Sequence, residues 1–436
     1  MAMQVDTLIT NGTILTMDSD FTTIKDGVLA IKGDAIIYVG NAEGAQVFEA
    51  RDHVDAKGGI ILPGFINTHC HAAMSLFRGL ADDVELDQFL KTVWAAEAAH
   101  ITHDTVFLGT QLSVAEMALG GVTHFLDMYW HVDATIEAAK SFGIGITCGP
   151  AMLVNPATDW DECIQGTRVF FERYDGDYFV NRMLVPHSCY TLDQDKLKQI
   201  ATLSTEFECG VHTHASEAAW EMDLVKAAYG TTPIRALAEA GLLERPLLLA
   251  HSVHLDDTEI AMLSDANSAV SHCPASNAKL ASGTARVRDL MDAGVTLSLG
   301  TDGPSSGNDL DMFKTMRLMS FMHNLRSGTS DTLPARDVVA AATIGGAQAL
   351  GLADKQGSLK VGKQADISIV STSRPHMVPV YDPYSSLVYS AGREDVSHVF
   401  ARGKTIILNG NLIQSTAQII EDVATLASSI QGENEQ

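Results

Sequence analysis

The chain has 436 residues, 46% of them hydrophobic and 19% charged, with 35 glycines and 12 prolines, proportions of a folded globular protein that exclude a disordered one. Its 29 Lys and Arg stand against 54 Asp and Glu, a formal net charge of −25. Such a field repels phosphate backbones and anionic lipid heads, so neither nucleic acid nor a membrane surface is an expected partner. The N-terminal residues lack the basic and apolar regions of a signal peptide, no run reaches the roughly 20 apolar residues of a membrane helix, and the six cysteines form no Cys-x-x-Cys pair. Together these predict a cytoplasmic protein with reduced thiols.

The length predicts one large domain and one small one. Residues 1–60 read as short strands, Asp6–Ile9, Thr13–Met17, Val28–Lys32 and Ile36–Val39, separated by the turn signals Asn11-Gly12, Asp26-Gly27 and Gly33-Asp34. This predicts an antiparallel β pattern. Over 61–356, eight apolar runs alternate with amphipathic segments such as Asp104–Gly120 and Pro233–Ala240. The runs are Ile60–Asn67, Val122–Met128, Ile144–Gly149, Met183–His187, Gly210–Thr213, Leu247–His251, Ser268–Cys273 and Thr296–Thr301. Eight such β-α units predict an α/β protein built on a closed (β/α)8 barrel of TIM type. An open doubly wound sheet would need a Gly-rich phosphate loop after its first strand, and Pro63-Gly64-Phe65-Ile66-Asn67 is followed by histidines instead. Beyond 357 the β texture returns in Gly357–Val370, Val396–Phe400 and Thr405–Leu408. Residues 1–60 and 357–436 are therefore expected to build one small β-sandwich domain, with a tail helix after Gln418.

In such a barrel the chemistry sits at the C-terminal strand ends, so the polar residues that end each run are the ones to inspect. Strand one ends in His69-Cys70-His71, where alternation puts both imidazoles on one side and Cys70 on the other. Taken alone, a His-x-His pair favours a structural histidine beside a carboxylate over a metal ligand. The later strand ends change that balance: strand five runs His212-Thr213-His214-Ala215-Ser216-Glu217, strand six ends at His251, and strand eight runs Thr301-Asp302-Gly303. His69, His71, His214 and Asp302 make a donor set suited to one divalent ion, Zn²⁺ or Fe²⁺, with a position left for a water that ionises near neutral pH. His212 shares the parity of His214 and stays an alternative, although Glu217, three residues on, favours His214. Strand four ends in Val185-Pro186-His187 with no lysine to carbamylate and bridge a second ion. His187 is therefore expected to touch substrate, the competing reading being a capped, buried histidine.

The stretches Pro63–His71, His214 with Glu217, Ser271-His272-Cys273-Pro274-Ala275-Ser276-Asn277 and Thr301-Asp302-Gly303 resemble the amidohydrolase superfamily. Leu76–Asp83, Asp127-Met128-Tyr129, His251-Ser252-Val253-His254-Leu255 and Gly357–Val370 resemble most its methylthioadenosine/S-adenosylhomocysteine deaminase branch, which also holds triazine chlorohydrolases. The resemblance implies one divalent metal, usually zinc, on His69, His71, His214 and Asp302, and a proton shuttle at Glu217. It also implies that His251 and Asp302 assist the attacking hydroxide, and that Ser306, His187 and Glu97 bind substrate, Glu97 at the ribose hydroxyls. A solvated helix face is the plainer reading of Glu97. The branch members that take S-adenosylhomocysteine carry an arginine after strand three, where this chain runs Thr147–Leu153 and has no arginine before Arg168. The expected activity is hydrolytic removal of the 6-amino group of an adenine nucleoside (methylthioadenosine, 5′-deoxyadenosine or adenosine), with S-adenosylhomocysteine in doubt. Another amino- or chloro-substituted ring (triazine, pterin or guanine) is the enzymatic alternative, and a metal-free scaffold the non-enzymatic one. The substrate is thus a small heteroaromatic amine, and a homo-oligomer is expected.

Overall fold

In the computed structural model, which describes residues 3–84, 86–154 and 159–434, the two ends of the chain meet in one nine-stranded sheet. It is built from β1 (Met3–Leu15), β2 (Thr23–Lys32), β3 (Ala35–Asn41), β4 (Phe48–Asp55) and β5 (Ile60–Pro63), and from four strands that follow the barrel. Two features of its N-terminal part differ from the sequence reading. Neither Asn11-Gly12 nor Asp26-Gly27 makes a turn: β1 and β2 run straight through them, with register shifts on either side of the Gly12–Gly27 pair that absorb the irregularity and Asn11 at φ 58° and Asp26 at φ 48°. The pairing is also mixed, since β1 is antiparallel to β2 but parallel to β4 and β5. β4 escaped the sequence reading because its pattern, Phe-Glu-Ala-Arg-Asp-His-Val-Asp, is that of a charged edge strand with little apolar alternation.

The barrel begins where the run Ile60–Asn67 divides. Gly64 separates β5, which pairs antiparallel with a C-terminal strand of the first sheet, from β6 (Phe65–Cys70), which pairs with β7 (Val122–Asp127). A Cβ at Gly64 would lie 2.3 Å from the Thr123 side chain, so only glycine lets the chain pass from one sheet to the other here. The ring continues through β8 (Gly145–Cys148), the short β9 (Ala151–Met152), β10 (Val180–Pro186), β11 (Gly210–Ala215), β12 (Leu247–His251), β13 (Ala269–His272) and β14 (Thr296–Leu299). All barrel pairings are parallel, and eight strands follow one another around the ring with β9 set beside β10. The last strands, β15 (Ile367–Val370), β16 (Val396–Ala401), β17 (Lys404–Leu408) and β18 (Asn411–Leu412), return to the first sheet.

Between β6 and β14 the ring is closed mainly by side chains, with one backbone bond from Asp302 N to the His69 carbonyl at 3.1 Å. Asn67 Nδ2 donates to Thr301 Oγ1 at 2.7 Å and its Oδ1 accepts from Thr301 N at 3.1 Å, while Thr68 Oγ1 reaches Ser271, Ser298 and the Leu299 carbonyl. These buried polar groups satisfy one another and fix the height of β6 against β14. The opposite end of the barrel is plugged by Ala347 and Leu350 against Ile66, Leu126, Met183 and Leu248. No helix among the described residues is long and apolar enough to cross a membrane.

Candidate active site

The strand ends at the top of the barrel bring four imidazoles and two carboxylates together. His69, on β6, is fully buried and its Nδ1 lies 2.8 Å from Nε2 of His212, whose own Nδ1 is 3.1 Å from the Leu248 carbonyl. A carbonyl only accepts, so His212 carries its proton on Nδ1, His69 donates its Nδ1 proton to His212, and His69 Nε2 is left with a bare lone pair. The same logic holds for His71, whose Nδ1 donates to the Met128 carbonyl at 2.6 Å, and for His214, whose Nδ1 donates to the His187 carbonyl at 2.8 Å. The three Nε2 atoms then face each other and Asp302. His71 Nε2 is 3.3 Å from His214 Nε2, and Asp302 Oδ1 lies 3.5 Å from His69 Nε2 and 3.3 Å from His71 Nε2.

Burial pushes His69 down to about 4 and His214 well below the usual histidine range, so both rings are neutral at pH 7. His69 Nε2 is buried and makes no hydrogen bond among the described residues. The ligand atoms of His69, His71 and His214 lie within 4.8 Å of one another. Lone pairs converging on one point without a proton between them repel, and a cation removes that repulsion. Three imidazole nitrogens and a carboxylate oxygen fit a divalent metal ion. His212, whose parity left it open as a ligand, sits one layer deeper and orients His69.

Glu217 and His251 flank this cluster. Glu217 follows β11, and its Oε2 lies 3.9 Å from His251 Nε2, itself 4.0 Å from Asp302 Oδ2. Burial raises the Glu217 carboxyl above the ordinary range. For His251, burial opposes protonation, but the Glu217 and Asp302 carboxylates and the Asn277 side chain outweigh it and move its pKa upward. For Asp302, burial is likewise outweighed by the neighbouring imidazoles, which hold it well below the carboxylate range. Asn277 Oδ1 accepts from His251 Nδ1 at 2.8 Å and fixes that ring. Ser216, His251, Ser252 and Asp302 all hold positive φ, between 48° and 68°. Non-glycine residues rarely accept that conformation, and its concentration at one end of one barrel marks strain held by the surroundings.

A cavity of about 1010 Å³ opens above the cluster. His71, His187, His214, Glu217, His251, Asp302 and Ser306 line its floor and sides, and Glu97 lines its wall. Glu97 is 9% exposed, and the Tyr129 hydroxyl donates to its Oε1 at 2.6 Å, so it is no solvated helix face. Its carboxyl is raised by burial, against the lowering effect of that hydrogen bond. His187 is pushed down to about 3 by burial, its Nδ1 is 3.0 Å from Ser188 Oγ, and its ring also lines the cavity. Ser306 Oγ donates to the Gly303 carbonyl at 3.0 Å. In the loop that lacks arginine, Met152 is core while Leu153 lines the cavity. Among the described lining residues none is Lys or Arg. All nine residues singled out in the sequence thus border one cavity or the cluster beneath it.

Sequence reasoning assigned no role to several residues around the site. Asp127 Oδ1 accepts from Ala72 N at 2.6 Å and shapes the turn that carries His71. Tyr129, Asn277 and Glu221 each bind a site residue, but a hydrogen bond across elements leaves no spacing signature in the chain.

The amidohydrolase family model matches residues 60–406. Over 417 residues the chain is 37% identical to a 5-methylthioadenosine/S-adenosylhomocysteine deaminase of Pelotomaculum thermopropionicum, covering 95% of this chain and 94% of the relative. It is 37% identical over 432 residues to a 5′-deoxyadenosine deaminase of Methanosarcina mazei, covering 98% of each. The zinc-bound crystal structure of an adenosine deaminase from Xanthomonas campestris matches with a TM-score of 0.97 at 32% identity, over 99% of this chain and 100% of that one. With a match of that extent and with relatives similar along nearly their whole length, the chain belongs to the amidohydrolase family.

Proposed function

We propose that this protein hydrolytically deaminates adenine nucleosides whose 5′ group is uncharged, such as 5′-methylthioadenosine, 5′-deoxyadenosine or adenosine. The observation that carries the reading is the buried, Tyr129-anchored carboxylate of Glu97, which shares one cavity with Glu217 and the histidine cluster. A carboxylate accepts two hydroxyl donors at once, which suits the vicinal hydroxyls of a ribose. The absence of Lys and Arg among the described lining residues leaves an amino-acid carboxylate without a counter-ion, so S-adenosylhomocysteine is the poorest of these substrates.

His69, His71, His214 and Asp302 would hold the metal, and zinc is the ion this donor set suits best. When bound, the ion supplies the Lewis acidity that makes water nucleophilic near neutral pH. Glu217, raised by burial, takes a proton from the attacking water on its carboxylate and delivers it to the ring nitrogen beside the amine-bearing carbon. His251, fixed by Asn277, and Asp302 steady the incoming oxygen from the side opposite the ring. His187 and Ser306 hold the purine edge. The new C–O bond forms as the ring C=N π bond opens onto the nitrogen that Glu217 protonates; the C–N bond breaks next, as the remaining proton of the added oxygen passes by way of Asp302 and His251 to the amine, which leaves as ammonia while the oxygen becomes the ring carbonyl. Six unpaired cysteines, five of them buried, fit a reducing cytoplasm.

The test is ammonia release from equal enzyme on methylthioadenosine, S-adenosylhomocysteine, 5′-deoxyadenosine, adenosine, guanine, a pterin and an aminotriazine. Turnover of the adenosines with S-adenosylhomocysteine last is expected. Turnover of only the non-nucleosides overturns the substrate assignment.

A further inference from the structure

Glu221 takes no part in the chemistry outlined above, yet it is wholly buried in the wall behind Glu217. It stands in the first turn of the helix Ala219–Tyr229. A glutamate at that position ordinarily reaches back to the amide of the helix N-cap. Here the carboxylate passes over the N-cap, Ala218, and binds two amides outside the helix: Oε1 accepts from Ser216 N at 3.0 Å and Oε2 from Glu217 N at 2.6 Å. Ser216 holds φ 55°, a left-handed conformation that L residues with a side chain resist. Its carbonyl is tied on the other side to Val253 N and His254 N, both at 2.9 Å, in the loop that leaves His251. The strained turn is therefore gripped from two directions, and what it presents is the Glu217 side chain at 3.9 Å from His251.

We propose that Glu221 is a positioning residue for the deamination: by clamping the Ser216-Glu217 amides it holds the Glu217 carboxylate at the height of His251 and Asp302. The inference rests on the proton-shuttle role given to Glu217 above. A burial of this depth is costly for a carboxylate unless both oxygens are satisfied, and two backbone donors satisfy them. Burial pushes the Glu221 carboxyl up to about 7, against the lowering effect of the two amides. A residue serving the helix alone would gain the same stabilisation at the N-cap amide, without leaving the helix.

The test compares wild type, Glu221→Gln, Ser216→Gly and the double variant as metal-loaded enzyme, reading kcat, KM and bound metal per chain. Glutamine keeps one acceptor and leaves one amide without its partner. The expected result is a kcat lower by tenfold or more, a KM within about twofold of wild type, and unchanged metal content. Glycine accepts positive φ without strain, so Ser216→Gly in the Glu221→Gln background should recover several-fold of the lost kcat. A merely structural glutamate would lower metal content, folded fraction and kcat together, and glycine would not rescue it. A kcat near wild type, a loss that follows the metal, or an absent rescue each overturns the proposal. If Glu221→Gln does not fold, Glu221→Asp, which keeps the charge but shortens the reach, is read by the same criteria. Wild-type turnover on the substrate panel is measured first. A failure of the nucleoside assignment appears there, and the positioning role is then read on whichever amine the wild type does turn over.

Discussion

The hydroxyl of Tyr129, at the exit of β7, donates to Glu97 Oε1 at 2.6 Å from a helix that lies earlier in the chain. One lone pair of Glu97 Oε1 is thereby occupied, and its other lone pair and Oε2 remain to accept the two ribose hydroxyls. Replacing Glu97 with Ala should lower kcat/KM for adenine nucleosides by about 10- to 100-fold, the worth of hydrogen bonds to a charged group. Turnover of a ring without a ribose should change little. Tyr129→Phe should give the same pattern at a few-fold size. Equal losses on nucleoside and non-nucleoside substrates would remove Glu97 from the ribose.

The imidazole relay from Leu248 through His212 to His69 makes a second prediction. His212→Phe keeps the volume and removes the acceptor that fixes the His69 tautomer. Outer partners of this kind contribute about 10- to 100-fold to metal affinity. Dialysis against a graded chelator, followed by elemental analysis, should show the variant losing its ion at correspondingly lower chelator strength. His69→Ala should retain none.

Glu217 governs the acid side of the pH profile. Its folded pKa is raised, and below that pKa the carboxyl is already protonated and takes no proton from water. The rate is expected to fall as pH drops through a value above the ordinary glutamate pKa of about 4.3. Glu217→Gln should lose about 10²- to 10⁴-fold across the whole pH range. An acid limb at or below the ordinary carboxylate value in wild type would contradict this assignment.

Stability should depend on pH through Asp366, at the small-sheet end of the molecule. Burial pushes its carboxyl up to about 6 from an ordinary 3.8, against the Arg402 guanidinium and amide, and its Oδ2 is buried without a hydrogen-bond partner among the described residues. Between those two values the folded chain binds more protons at this group than the unfolded chain. Its contribution is therefore fully present below about 3.8 and is lost as pH rises through about 6. Asp366→Asn removes the titration. The difference in unfolding free energy between variant and wild type, from denaturant melts, should shift in favour of the variant from pH 4 to pH 7.5 by an amount on the order of 2 kcal/mol. A difference that does not change with pH would refute it.

Much of the site was legible because a barrel strand end is a place the sequence marks: an apolar run stops and a ligand-type residue follows, as at His69, His214, His251 and Asp302. The parity rule put Cys70 away from His69, and Cys70 indeed packs in the core. It did not separate His212 from His214, because alternation fixes the side of a strand and not the layer within the barrel. Gly64 was hidden for a related reason: a continuous apolar run reads the same whether it stays in one sheet or crosses between two. Periodicity alone leaves Glu97 an acid on a helix, and only the family resemblance singled it out; the contact that buries it comes from Tyr129, 32 residues on. Asn277 and Glu221 are invisible to periodicity, since Asn277 acts through a ring on another strand and Glu221 through two backbone amides of the preceding turn.

The seam between β6 and β14 joins residues 234 positions apart, Asn67 and Thr301, through side chains. His69 and Asp302 stand immediately beyond that junction, so the first and last donors of the cluster come from the two strands whose union completes the ring. An ion held between them would act as a latch on the cylinder. Its removal should free this joint ahead of the others, letting the wall part along a single line while the remaining strands keep their ladders. Amide exchange with and without the ion would locate that line: faster exchange confined to Asn67–Cys70 and Leu299–Gly303 is the signature of a barrel that opens where it was last closed.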